Sequence, residues 1–391
     1  MSELAKRMSR LGTESAFEVL NRATALEGEG RKVIHLEIGE PDFDTPPHIS
    51  EAATRAIRDG HTGYCAAPGL PELQEAAASF FARTRGLDYS ADRIVITPGA
   101  KPIMFFAILA LCERGDEVLY PDPGFPMYES IAAFAGATPV PVPLREERAF
   151  RMDPDEIASL VTDRTRLVIL NSPHNPCGSA LARADLEGIA AVLADTDAYI
   201  LSDEVYWAIH YEGAHTSIAQ LDGMADRTIL LDGCSKSFAM TGWRLGFAAI
   251  PTPLVEPITR LVINAVSCTA NFVQRGAIAA LTGPFEPVEQ MVREFRSRRD
   301  VIVNGLNRIP GVSCLVPEGA FYAFPKISSF GASSVEVADH LLETGGVACL
   351  GGTAFGGHGE GYLRMSYASS IENIRDALEA TEAALAEFPG R

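Results

Sequence analysis

The chain is poor in lysine: among 33 Lys and Arg residues only Lys6, Lys32, Lys101, Lys236 and Lys326 are lysines. Arginine fills the generic surface role, so a lysine in a Gly/Ser/aromatic setting is a candidate for amine chemistry that an always-protonated guanidinium cannot perform. Lys236 has such a setting, in Gly233-Cys234-Ser235-Lys236-Ser237, directly after the apolar run TILLD, and Arg244 follows eight residues on. Two other polar segments also follow apolar runs: Ser172-Pro173-His174-Asn175-Pro176-Cys177-Gly178 after RLVILN, and Asp203-Glu204-Val205-Tyr206 after AYILS. A lysine amine forms a Schiff base with an aldehyde, and an aspartate holds a ring nitrogen protonated. Tyr and Asn hydrogen-bond a phenolate oxygen, and Ser with Arg holds a phosphate.

These groups act together only if the chain gathers them. From about residue 93 short apolar runs alternate with longer amphipathic ones: RIVIT (93–97) before Pro102–Arg114, EVLYP (117–121) before Met127–Ala135, RLVILN (166–171) before Arg183–Ala194, then AYILSD, TILLD and RLGFAAI (244–250). Strands that are apolar throughout suit a sheet buried on both faces, and alternation with helices predicts an α/β fold with a mostly parallel central sheet flanked by helices in three layers. Ligands in such a sheet bind beyond the carboxyl ends of the strands, where the three segments would meet.

The last hundred residues read as a smaller α+β domain, beginning with the charged helix Glu286–Asn307, whose REFRSRRD run is read as a solvated face. The expected division is a large domain over 48–285 and a small domain from 1–47 with 286–391. Met1–Pro47 is expected to wrap onto one of the two. The glycine-dense GGTAFGGHGEG (351–361) is read as a mobile loop rather than a phosphate cradle.

A formal charge of −18 argues against a nucleic-acid partner. The longest apolar run, Ile103–Cys112, is too short for the ~20 residues of a membrane span. No secretory signal is read at the N-terminus, and the seven scattered cysteines read as free thiols, so a cytoplasmic location is expected. G-x-G-x-x-G, G-x-x-x-x-G-K-[ST] and H-E-x-x-H are missing, which removes support for dinucleotide, Walker-type and zinc-protease readings, and no metal is expected.

The groups that remain describe the needs of pyridoxal phosphate, which requires a Schiff-base lysine and an acidic partner at its ring nitrogen. N-S-P-H-N-P-C-G, S-D-E-V-Y and G-C-S-K-S-F-A-M-T-G-W-R-L-G resemble, in order and spacing, the class I/II aminotransferases of the fold-type-I pyridoxal-phosphate enzymes. The resemblance runs from Gly39-Glu40-Pro41-Asp42-Phe43, through Gly63-Tyr64, Pro98-Gly99-Ala100-Lys101 and Pro123-Gly124-Phe125, to Tyr362-Leu363-Arg364-Met365-Ser366. It implies Lys236 as Schiff-base lysine and proton carrier, Asp203 at the ring nitrogen, Asn175 and Tyr206 at the phenolic oxygen, and Phe125 stacked on the ring. Arg244, Ser235 and the backbone of Gly99, Ala100 and Lys101 would hold the phosphate at a helix start. Tyr64 would reach the phosphate of a neighbouring subunit, which implies a homodimer with shared sites. Arg364 would grip the substrate α-carboxylate with the Gly39 backbone, aided by closure of the small domain.

Several positions depart from the family pattern. Gly233 stands where a phosphate-binding Ser is frequent, Cys177 replaces a Thr, His174 occupies the position before Asn175, and Gln74 stands in the L-[RQ] position after Gly69. Cys177 is read as packing. His174 is open to substrate contact or packing, and packing is favoured. Lys101 is open to two readings: contact with the distal carboxylate of a dicarboxylic substrate, or a residue that flanks a helix start.

The leading expectation is ping-pong transfer of an amino group from an L-amino acid to a 2-oxo acid, with glutamate, aspartate or 2-oxoglutarate favoured. A Cβ–S lyase or other elimination enzyme could use nearly the same groups. A non-catalytic sensor of a transcription regulator would need a basic module ahead of Gly39, and with Gly39-Glu40-Pro41 this early none is expected.

Overall fold

Residues 4–389 are described by a computed structural model. Seven strands form the central sheet: β1 (Ile94–Thr97), β2 (Glu117–Asp122), β3 (Thr138–Pro143), β4 (Thr165–Asn171), β5 (Tyr199–Asp203), β6 (Thr228–Gly233) and β7 (Gly246–Ala249), in the order β1-β7-β6-β5-β4-β2-β3. All run parallel except β7, which lies antiparallel to β1 and β6. The apolar runs are buried on both faces: Leu167 and Ile169 join the core on one side, and Val168 and Leu170 join the core on the other. β3 reads TPVPVP, and its alternate prolines suit an edge strand because they donate nothing to a further neighbour.

Around the sheet and beside it lie α1 (Ser15–Gly28), α2 (Pro47–Arg58), α3 (Pro71–Arg85), α4 (Lys101–Leu111), α5 (Met127–Ala135), α6 (Arg183–Leu193), α7 (Thr252–Val266), α8 (Asn271–Thr282), α9 (Glu286–Leu306), α10 (Ser334–His340) and α11 (Ile371–Ala386). The apolar run 103–112 falls almost wholly within α4, whose Ile103, Met104, Phe106, Ala107 and Ile108 pack on the sheet with α7. No described helix is long and apolar enough to cross a membrane. The C-terminal part builds its own antiparallel sheet from β8 (Tyr322–Ala323), β9 (Leu350–Gly351) and β10 (Leu363–Ser366), with β10 in the middle, beside the packed pair α9 and α11.

Three expectations change here. The N-terminal arm touches both parts of the molecule: Lys6–Arg10 packs on α5, the Gly12 N–H donates to Ser130 Oγ at 2.8 Å, and α1 packs against β9 and the short strand Val347–Ala348. The charged face of α9 is only partly solvated. Arg298 and Arg299 are buried, Arg298 pairing with Asp42 at 2.6 Å while lying over Phe43, and Arg299 lying over Tyr211, so arginine stems and planar heads serve as packing surface. The 351–361 segment forms two short helical turns tied to the carboxyl end of β2 by His358, whose ring lies 2.9 Å from Asp122 and whose backbone N–H donates to the same carboxylate.

Candidate active site

β4 and β5 end in register, with Asn171 opposite Asp203, and β6 runs two residues past Leu231, the partner of Asp203, so the three polar segments leave the same end of the sheet as neighbours. Together with α4, α5, the N-terminal arm and β10 they enclose a cavity of about 550 Å³. Lys236, in the single helical turn after β6, donates from Nζ to the Gly39 carbonyl at 2.5 Å. Desolvation lowers its pKa to about 8, with the Arg364 and Lys101 charges acting in the same direction and Glu40 and Glu14 opposing.

Asp203, at the end of β5, is buried, and desolvation raises its pKa to about 6. No cation pairs with it among the described residues; its carboxylate accepts from Tyr128 Oη at 2.6 Å and more weakly from the Val205 N–H at 3.4 Å. Asn171 Nδ2 fixes the strand end by donating to the Asp203 carbonyl at 3.0 Å. Tyr206 Oη lies 2.7 Å from Tyr322 Oη, and burial raises both phenols' pKa values.

Arg364 rises from the middle strand of the C-terminal sheet and is buried between the rings of Tyr322 and Phe355, at 4.6 and 4.8 Å. It donates to Asn175 Oδ1 at 3.2 Å and to the Glu37 carbonyl, yet it has no carboxylate partner among the described residues and its Nε has no acceptor. Burial lowers its pKa. A buried guanidinium in this condition is costly until an anion meets it.

At the cavity's other end Arg244 is exposed and adopts a left-handed backbone (φ 55°), so β7 begins at Gly246 rather than at 244. That turn brings its guanidinium against Gly99, where an added Cβ would overlap it and where φ is +91°. The Gly99 N–H is turned back to the Thr97 carbonyl at 2.8 Å, which leaves Ala100 and Lys101 to present the free amides at the start of α4. Beneath this floor Arg85 ties two strand ends together, donating to Asp232 at 2.5 Å and Glu204 at 3.3 Å, the neighbours of Gly233 and Asp203.

Residues 31–380 match the family model for aminotransferase class I and II. The chain belongs to this family. Among its relatives, the aspartate aminotransferase of Pyrococcus horikoshii is 41% identical over 384 residues, covering 98% of this chain and 97% of the relative. Aromatic-amino-acid aminotransferase 2 of Thermococcus litoralis is 40% identical over 388 residues, covering 98% of each. The crystal structure of the aspartate aminotransferase from Rhizobium meliloti superposes with a TM-score of 0.95 at 37% identity, covering 99% of this chain and 100% of that one.

The protein is thus a pyridoxal-phosphate-dependent aminotransferase, and its cavity fits that cofactor. An ionisable buried carboxylate without a cation suits a ring nitrogen that carries a proton, a lysine of lowered pKa suits an aldehyde, and Arg244 with a helix start suits a phosphate. The aminotransferase gathers Gly39, Ala100, Lys101, Phe125, Asn175, Asp203, Tyr206, Ser235, Lys236, Arg244 and Arg364 around one cavity, with Gly99 behind Arg244. Tyr64 stands apart: it is 90% exposed and does not line its own chain's cavity.

His174 lines a separate small cavity with Asn171 and Ser179 rather than the site cavity; it is buried, and desolvation lowers its pKa to about 3. Cys177 is likewise buried, and burial raises its pKa well above the ordinary thiol range. Gln74 is structural, donating to the Ile94 carbonyl at 2.6 Å.

Sequence reasoning missed Tyr128, Tyr322 and Glu14. Tyr128 carried a signal: it lies three residues after Phe125 at a helix start, a spacing that puts both side chains on one face. Tyr322 and Glu14 carried none, because their places depend on segments distant in the chain.

Proposed function

We propose that this aminotransferase exchanges amino groups between L-amino acids and 2-oxo acids by a ping-pong route in which one partner is dicarboxylic. The carrying observation is that one cavity holds Lys236, Asp203, an unpaired Arg364 and, on a further wall, Lys101. Relatives named for aspartate and for aromatic amino acids support this reading.

When bound, pyridoxal phosphate supplies the aldehyde that takes the amino group and the electron sink that acidifies the substrate Cα–H. Asp203 would keep the ring nitrogen protonated and Tyr128 would hold that carboxylate ionised. Asn175 and Tyr206 would contact the phenolic oxygen, and Phe125 would lie on the ring. Arg244, Ser235 and the first amides of α4 would hold the phosphate. Arg364 would take the α-carboxylate through its planar fork, with the Gly39 backbone beside it. Lys236 Nζ, part neutral near pH 8, would move the proton at Cα.

The proposed division is a large domain over 48–285 and a small one from 1–47 with 286–391, which would meet at the cavity through Arg364 on Asn175 and Tyr322 on Tyr206 as well as through the arm. A homodimer in which Tyr64 reaches the partner's phosphate is supported by its 90% exposure. A cytoplasmic location agrees with seven cysteines that are all free.

The test is a single half-reaction. With amino acid alone, the holoenzyme is expected to release one equivalent of 2-oxo acid per site, and Lys236→Ala to release none. Continuous ammonia release by the wild type, or turnover by the variant, would overturn the assignment.

A further inference from the structure

Glu14 is the flanking residue of α1, yet its carboxylate does not cap that helix. It turns into the active-site cavity and forms an ion pair with Lys101 Nζ, which lies 5.3 Å from the centre of the Phe125 ring. The Glu14 side chain is only 20% exposed, and Ala16 and Phe17 line the same cavity wall. Gly12, two residues earlier, is anchored to Ser130. The acidic group is therefore held in place by the arm.

We propose that Glu14 sets the substrate preference of this enzyme, by occupying Lys101 against dicarboxylic substrates and leaving a neutral wall for uncharged ones. The inference rests on the reading of Lys101 as the distal-carboxylate contact. With the pair intact the wall beside Phe17 and Phe125 presents no net charge, and an apolar or aromatic side chain meets no unpaired ion. A substrate whose α-carboxylate lies at Arg364 and whose second carboxylate seeks Lys101 must displace Glu14 or share one ammonium with it. Two carboxylates on one cation repel, so the cost falls on acidic substrates alone.

The test compares kcat/KM for L-glutamate and L-phenylalanine in holoenzyme carrying Glu14→Gln or Lys101→Met. Glu14→Gln keeps the shape and removes the charge. The glutamate-to-phenylalanine ratio is expected to rise about 3–5-fold in Glu14→Gln, mainly through a lower KM for glutamate, and to fall at least as far in Lys101→Met. If Lys101→Met lowers the ratio while Glu14→Gln leaves it within twofold or lowers it, the role of Glu14 is wrong and the Lys101 reading stands. If Lys101→Met leaves the ratio unchanged, both are wrong.

Discussion

Tyr128→Phe removes one oxygen, the donor to Asp203 Oδ2 at 2.6 Å, in a place where both residues are buried. Asp203 ionises at about 6 instead of its ordinary 3.8 because desolvation outweighs that bond. The shift of about two units, at about 1.4 kcal/mol each, means the cofactor-free fold loses about 3 kcal/mol as Asp203 ionises. The direction follows from the raised pKa. This contribution is fully present below the unfolded-state value and is lost as pH rises through the folded one. A hydrogen bond to an ionised acceptor contributes about 1.5–3 kcal/mol, so without the phenol the Asp203 pKa is expected to climb by about one to two units, to roughly 7–8. Urea denaturation of the cofactor-free protein from pH 4.5 to 8.5, each stability curve taken relative to the corresponding Asp203→Asn protein, isolates the carboxyl contribution. The native difference curve should level off just above pH 6 and the Tyr128→Phe curve about one to two units higher, with a deeper total loss. A variant curve that levels off at or below the native pH would refute the claim that Tyr128 favours the carboxylate.

Two further outcomes follow from the packing. Gly39→Ala places a Cβ where the Tyr322 hydroxyl lies, and Tyr322 must move away from Tyr206; overpacking is expected to cost about 1–3 kcal/mol of stability in urea denaturation, and the displaced phenol to lower kcat/KM. Activity within twofold of wild type would show that the Tyr206–Tyr322 contact is dispensable. Arg85→Met leaves Glu204 and Asp232 buried without their shared guanidinium and is expected to cost about 3–5 kcal/mol in urea denaturation at pH 7.5; a loss under 1 kcal/mol would mean that His215, 2.9 Å from Glu204, and the backbone suffice.

The sheet was legible because its strands are apolar on both faces, and that pattern is a property of consecutive residues: Met127–Ala135 was placed to the residue, and most other elements within a few. The candidate site residues were legible for a related reason. Asp203 ends a strand, and Asn175 and Lys236 lie within four residues of one, so local order announces them, and a lysine is conspicuous in a chain that otherwise uses arginine. Arg244 was expected to begin a strand but turns left-handed instead, because only its approach to Gly99 demands that turn.

What the tertiary structure decided are the partners of these groups. Tyr128 against Asp203, Tyr322 against Tyr206, Arg85 across two strand ends and Glu14 on Lys101 join positions 75, 116, 119, 147 and 87 residues apart. Local sequence specifies which side chain leaves a strand end. What meets it depends on how separate segments pack, and that packing sets the desolvation and pairing that hold Lys236 near 8, Asp203 near 6 and Lys101 beneath a carboxylate.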